Sequence, residues 1–349
     1  MKASIIGCVA LIAVLSASPA AAAAIQAPFA VPTGTPGKMT KAKPCEAPPD
    51  AVTVFSADSV YQKGDATHSK IDPEAKERYD EAVGPLRTYS QQLIRMANAY
   101  VGSDGRDRGS AQCTISWLAN WAKADALGTI ETRQAALSTT RVLSAIAFAY
   151  IEVKGAPGIS PEDKAAIEAW LRRLAVATQE VYGDKGNSNL GNHRYWGGLA
   201  VAAVAVAIND PGLLDWAMES YRIGACQVKA DGTMPIELSR GPRSRDYHIH
   251  ALGPLVMLAE IGARNGVDTY GMCNSGLKRA VAFTLKAVAD PTEIEALARA
   301  RQLPLKSMNS RLAWIAVYRS RFPLPVDIDM PDKLNSSTLG GNMELLYPD

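Results

Sequence analysis

Histidine and phenylalanine are both scarce in this chain, and neither sign of charge prevails. Of 349 residues only four are His and five Phe, and 37 Lys and Arg face 35 Asp and Glu, for a net charge of +2. A balance this even argues against a nucleic-acid partner, which needs a basic excess or stripe. It leaves room for a locally positive cleft that would take an anionic substrate. No His, Cys or carboxylate spacing suits a metal ion, so no metal and no cofactor are expected. There is no serine nucleophile elbow and no phosphate-cradling glycine loop. Runs of alternating strand pattern are missing as well, apart from a short β-like patch at 233–238. Beyond the N-terminus, no apolar run approaches the roughly 20 residues of a membrane span.

What is present begins with a signal-like N-terminus. Lys2 precedes an apolar run over residues 3–15, and small residues at 20–24 offer cleavage sites. Residues 1–24 are therefore expected to be removed, leaving an exported protein, periplasmic or secreted, with no membrane association. Cys8 leaves with them. Cys45, Cys113, Cys226 and Cys273 remain, an even number for an oxidising compartment. Of three possible connectivities, Cys45–Cys113 and Cys226–Cys273 are favoured, because each ties segments within one half of the chain.

Residues 25–49, rich in Ala, Pro, Thr and Lys, read as an extended arm. Residues 59–73 are polar and aperiodic and read as a long loop, either a surface loop or a lid over a site. From Glu74 onward the periodicity is helical. Helices are expected over 74–100 (with a break or kink at Pro85), 113–127, 132–153, 161–181, 194–208, 211–228, 242–265, 276–289, 291–301 and 310–319. Ser160-Pro161, Asp210-Pro211 and Asp290-Pro291 are cap-and-first-turn signals. Residues 145–150 and 201–208 are apolar all round and so belong inside other helices. The expectation is a single all-α domain over 50–349, with roughly ten or more helices in inner and outer layers. That alternation would give an α/α toroid.

Two polar clusters stand out. The stretch 192–196, Asn-His-Arg-Tyr-Trp, joins a Gly/Asn/Ser loop to the apolar run at 199–208. Asn192 reads as a helix N-cap, His193 as a neutral imidazole in the first turn, and Trp196 as either core packing or a sugar-stacking face. The second cluster, 231–250, holds Arg240, Arg243, Arg245, Tyr247, His248 and His250. Arginines beside a tyrosine favour its phenolate, which makes Tyr247 an acid/base candidate with a lowered pKa. Glu237 and Asp246 could be read instead as a hydrolase carboxylate pair.

These clusters resemble the alginate (mannuronate) lyases of polysaccharide lyase family 5. The resemblance rests on Asn192-His193-Arg194-Tyr195-Trp196, on the run from Asp231 to Arg240 and Gly241, and on Tyr247-His248 seven residues after the arginine. The early helix at 113–127, the loop at 61–73 and Leu312-Ala313-Trp314 extend it over most of the mature chain. It implies an incomplete α/α toroid that cleaves a polyuronate by β-elimination. Asn192, His193 and Arg240 would hold and neutralise the uronate carboxylate, and Tyr247 would move the proton. Trp196, Tyr61, Lys63, His250, Arg194 and Arg311 would contact substrate, with no metal. The partner would be an anionic polysaccharide and the protein a monomer. Asp246 and His250 depart from the pattern. Asp246 stands where a neutral residue or His is expected, and His250 where an aromatic is frequent. These departures keep glucuronan and hyaluronan-like polymers beside mannuronate-rich alginate. A glycoside hydrolase and a non-catalytic polysaccharide binder are the alternatives of another class.

Overall fold

The computed structural model describes residues 24–32, 44–65, 67–183 and 190–348. Residues 1–23 of the expected signal and 33–43 of the expected arm lie outside them. Thirteen α-helices are found among the described residues. In order they are α1 (Pro73–Gly102), α2 (Arg108–Lys123), α3 (Arg133–Val153), α4 (Pro161–Gly183), α5 (Asn192–Ile208), α6 (Pro211–Gln227), α7 (Pro235–Leu238), α8 (Ser244–Arg264), α9 (Met272–Ala289), α10 (Thr292–Ala298), α11 (Met308–Arg311), α12 (Trp314–Arg319) and α13 (Met343–Leu346). The strands are two-residue pieces. β1 (Val54–Phe55) pairs in parallel with β2 (Thr129–Ile130), and β3 (Asn335–Ser336) pairs antiparallel with β4 (Gly341–Asn342).

Helix starts follow local chemistry. Asp72, Asp107, Thr132 and Asp210 each accept a backbone N–H at the head of α1, α2, α3 and α6. Pro85 does not break α1, which runs unbroken through it. Pro85 and Glu81, four residues earlier, are both exposed, so the carbonyl left without a donor faces water. The β-like patch at 233–238 is also corrected: Pro235 opens the short helix α7, with Leu238 N–H donating to Met234 O. The expected helix over 310–319 divides into α11 and α12.

Two layers form. α3, α5 and α8 are buried along most of their length, while α2, α4, α6 and α9 bury one face each. α3 packs on α1 and α5, and α5 on α8, as an inner wall; α2 packs on α4, and α6 on α9, outside it. This is the inner-and-outer arrangement of an open α/α toroid. α3 is long and apolar enough to cross a membrane by length and composition, and 83% of that window is buried inside the protein. Contact between layers needs small residues. A Cβ at Gly198 would meet the Ser220 side chain of α6 at 2.5 Å.

The favoured disulfides, Cys45–Cys113 and Cys226–Cys273, are both formed. Residues 44–50 are pinned to α2 by the first and by Trp117 Nε1 and Trp121 Nε1, which donate to Glu46 O and Pro49 O. The described part of the arm nearest the N-terminus is packed as well. Phe29 is buried against Phe148 and Tyr347.

Candidate active site

α5 opens on the functional stretch, and the geometry there differs from a simple cap. Gly191 is the N-cap and Asn192 the first helical residue. Asn192 donates its backbone N–H to Glu237 Oε1 and its Nδ2 to Glu237 Oε2, each at 2.9 Å. A carboxylate from α7 thus takes the place of a side-chain cap at a positive helix end. The fit at Gly191 is tight, since a Cβ would stand 3.0 Å from Ile236 and 3.3 Å from Glu237 Oε1. Glu237 is fully buried, and burial pushes its carboxyl up, partly offset by the Asn192 bonds. Because a carboxylate only accepts, it also settles which end of the Asn192 amide faces it.

The second cluster descends from α7 through a 3₁₀ turn, Gly241–Arg243, into α8. Arg240 lies with its guanidinium 4.8 Å over the Tyr247 ring, and that of Arg243 is 5.4 Å from it. The hairpin-like loop before α1 supplies a third side. Tyr61 bridges to Ile71, and the Asp65 carboxylate holds the tip through Thr67, Ser69 and Lys70. Tyr61 Oη lies 3.2 Å from Tyr247 Oη and accepts from Arg243 Nη1 at 2.7 Å.

Asn192, His193, Arg240, Tyr247, His250, Tyr61 and Arg311 all line one cavity of about 800 Å³. A second, of about 900 Å³, shares Tyr79, Arg141, His250 and Arg311 with it, so the two form one cleft. The second part is lined by Arg87, Arg95, Arg141 and Arg311 and by no Asp or Glu. His193 is held neutral, its pKa brought down to about 3 by burial first and then by Arg141, Arg240 and Arg133. Tyr247 goes the other way from the expectation. Burial and the neighbouring Tyr61 push its hydroxyl above the ordinary range, and Arg240 and Arg243 offset that only in part.

Several expected site residues are placed elsewhere. Arg194 is 5% exposed and points away from the cleft. It donates to Ser220 Oγ and Tyr182 O and stacks on Trp216, because one residue past His193 is about 100° further round the helix. Trp196 stays at the cleft: 6% exposed and 5.2 Å from His250, it lines the arginine-rich part as wall. Lys63 is exposed on the loop and lines neither part of the cleft. His248 is structural. It is fully buried, Nε2 accepting from Met234 N–H and Nδ1 set against Ser244 O. The hydrolase pair does not form either: Glu237 is occupied by Asn192, and Asp246 is paired with Arg243 and Arg311. Gln134 and Arg141 of α3 and Tyr79 of α1 reach the cleft without a sequence signal, since the first two read as ordinary polar positions and Tyr79 as a core-facing one, and His68 reaches it from the loop. Among the described residues, no group of three His, Cys, Asp or Glu could hold a metal ion.

The alginate lyase family model matches residues 127–294, which span both clusters. A polysaccharide lyase of Stenotrophomonas maltophilia is 33% identical over 309 residues, covering 86% of this chain and 90% of that protein. The chain belongs to the alginate lyase family. An alginate lyase of Cobetia marina is 30% identical over 320 residues, covering 88% of this chain and 84% of that one. Among solved structures, alginate lyase A1-III from Sphingomonas species A1 superposes with a TM-score of 0.73 at 25% identity, over 86% of each chain. A single-substitution variant of that lyase complexed with a tetrasaccharide gives 0.76 at 23% identity, which bears on the fold alone. This family member is thus a polysaccharide lyase on an α/α toroid, with its two polar clusters facing one cleft.

Proposed function

We propose that the protein cleaves mannuronate-rich alginate by β-elimination, with Tyr247 as the group that moves the proton. The observation that carries this is the convergence of Tyr247, Arg240, Asn192 and His193 on one cavity. A uronate carboxylate placed there meets Arg240 and neutral His193, and Asn192 held in one orientation by Glu237. Those groups neutralise the charge that develops as C5 becomes acidic. Ionised Tyr247 removes the C5 proton, the electron pair forms the C4–C5 double bond, and the C4–O4 bond breaks. The protonated Tyr247 then returns its proton to the leaving O4. In a β-mannuronate unit the C5 hydrogen and O4 share a face of the ring, so one residue serves both steps. His193 is the alternative base for units of opposite C5 configuration.

The acid-free, arginine-lined part of the cleft supports a polymeric anion bound beyond the cleaved bond, with Arg311 at the junction. His250 and Tyr61 are proposed to touch sugar close to Tyr247. Trp196, in the wall of the arginine-lined part, is proposed to face sugar there, whereas Lys63 and Arg194 are not retained as contacts. The two disulfides fit an oxidising compartment. With the signal-like N-terminus they support action in the periplasm or outside the cell, and the proposal takes the protein as a monomer with one catalytic domain over 50–349. Incubation with polymannuronate, polyguluronate, glucuronan and hyaluronan, followed by ultraviolet absorbance of unsaturated ends, tests the reading. Absorbance should rise fastest with polymannuronate. New reducing ends without absorbance would replace elimination by hydrolysis, and a faster rise on glucuronan or hyaluronan would replace the substrate.

A further inference from the structure

Asp246 is the third residue of α8 and stands beside Tyr247. Its two oxygens are divided between two elements. Oδ2 accepts from Arg243 Nη2 at 2.7 Å, and Oδ1 pairs with Arg311 Nη1 of α11. The side chain is 15% exposed, so these bonds are partly shielded from water. The guanidinium of Arg243 is planar and presents its donors in a fixed fork. With Nη2 committed to Asp246, the direction of Nη1 is set, and Nη1 donates to Tyr61 Oη at 2.7 Å. That hydroxyl is 3.2 Å from Tyr247 Oη. A continuous line of polar contacts therefore runs from Asp246 through Arg243 and Tyr61 to Tyr247.

The order of donors gives the line a direction. Arginine only donates, so Tyr61 Oη accepts from it. Once Tyr247 is ionised, its oxygen only accepts, and the Tyr61 hydrogen must then point at it. Arg243 strengthens that donation by withdrawing charge from Tyr61. The groups facing Tyr247 include cationic Arg240, Arg243 and Arg311, titratable Tyr61 and His68 from the loop, and His250 one turn along α8. Asp246 and Asp58 are the two acids among the residues lining this part of the cleft, and Asp246 is the one bonded to its arginines.

We propose that Asp246 is a positioning residue: it holds Arg243 so that Arg243 latches the lid tyrosine, Tyr61, onto Tyr247. The latch has two consequences. The described loop residues, 59–65 and 67–73, stay closed on the cleft by their one tyrosine, and the Tyr247 oxygen has a hydrogen-bond donor waiting when it ionises. The proposal rests on Tyr247 as the proton-moving group, but the latch itself is readable without turnover. It gives a use to the acid that departs from the family pattern at this position.

The test uses Asp246→Ala and Asp246→Asn in the mature chain, with Tyr61→Phe and the Asp246→Ala/Tyr61→Phe pair. Lys63 and Lys70 are exposed on the loop and offer tryptic sites that report its opening without substrate. Asp246→Ala should be cut there at least fivefold faster than wild type, and kcat on alginate should fall about tenfold with KM changed less than threefold. Asp246→Asn, whose amide oxygen still accepts one arginine bond, should recover part of both. Tyr61→Phe should match the loop cleavage of Asp246→Ala, and the pair should be cut no faster than Tyr61→Phe alone. Loop cleavage at the wild-type rate in Asp246→Ala, additive cleavage in the pair, or no recovery in Asp246→Asn would overturn the latch. If wild type eliminates no polymer, the reading of Tyr247 fails while the cleavage comparison still decides the latch.

Discussion

Glu237 grips Asn192 by two hydrogen bonds of 2.9 Å across 45 residues of chain, one to the backbone N–H and one to Nδ2. The pair joins the two polar clusters and fixes the amide in one orientation. Glu237→Gln keeps the size and one acceptor, but its NH₂ can offer a donor where only an acceptor stood. Asn192 can then turn over. Leaving a buried polar group mispaired costs about 1–3 kcal/mol. The expected result is a fall of about 10- to 100-fold in kcat/KM at a modestly lowered Tm. Steady-state kinetics beside thermal melts check this. Unchanged kcat/KM would show that the orientation of Asn192 does not matter to turnover.

Tyr247→Phe removes the hydroxyl and leaves the ring under Arg240. Loss of a general acid/base costs about 10²- to 10⁴-fold in kcat, and binding of an oligomannuronate should change less than about threefold. Because burial raises the Tyr247 hydroxyl, its base form grows as pH rises, so wild-type kcat should climb toward alkaline pH. A pH–rate profile and oligosaccharide titration measure both. A rate maximum below about pH 6, or a Phe variant with most of its turnover, would take the proton away from Tyr247.

Much of this site was legible because chemistry-bearing residues came in two short runs, 192–196 and 231–250, each leading into a helix with strong period. The helices were legible for the same reason, down to Asp210-Pro211 at the head of α6. What escaped reading depended on rotation about a helix axis and on distant packing. Arg194 and His193 are adjacent in sequence, yet the 100° between them puts one against Trp216 and the other in the cleft. The Asn192 cap was misread because its partner, Glu237, lies on another element and outcompetes local capping. The pKa of Tyr247 was misjudged because counting neighbouring arginines ignores burial, which here outweighs them.

Arg194 offers a clean separation of structure from binding. It ties α5 to α6 by its bond to Ser220 Oγ and to α4 by its bond to Tyr182 O, with Trp216 beneath it. Arg194→Met retains the stem but strips the donors that Ser220 Oγ and Tyr182 O accept from. The loss should be about 2 kcal/mol. Tm should drop by several degrees, and KM for alginate at a temperature well below the melt should stay within twofold. A KM raised tenfold at unchanged Tm would return Arg194 to the cleft.

Acid should unfold the protein through its buried histidines. His248 is fully buried, and burial lowers its pKa to about 4; His193 is lowered to about 3, and His250 is also held well below the ordinary value. Above the unfolded value of 6.5 both states are neutral and these groups contribute nothing to the pH dependence. As pH falls from 6.5 toward 4, the unfolded chain takes the proton first, and stability is lost over that window. For His248 the gap between 6.5 and about 4 is worth roughly 3 kcal/mol, an upper bound if water reaches the ring. Thermal melts of wild type at pH 7.5, 6.0 and 4.5 should show Tm falling steeply below pH 6.5. His248→Gln, which loses the titrating ring, should melt lower at pH 7.5 yet lose less on acidification. An equal fall in Tm in both proteins would place the acid sensitivity on other groups.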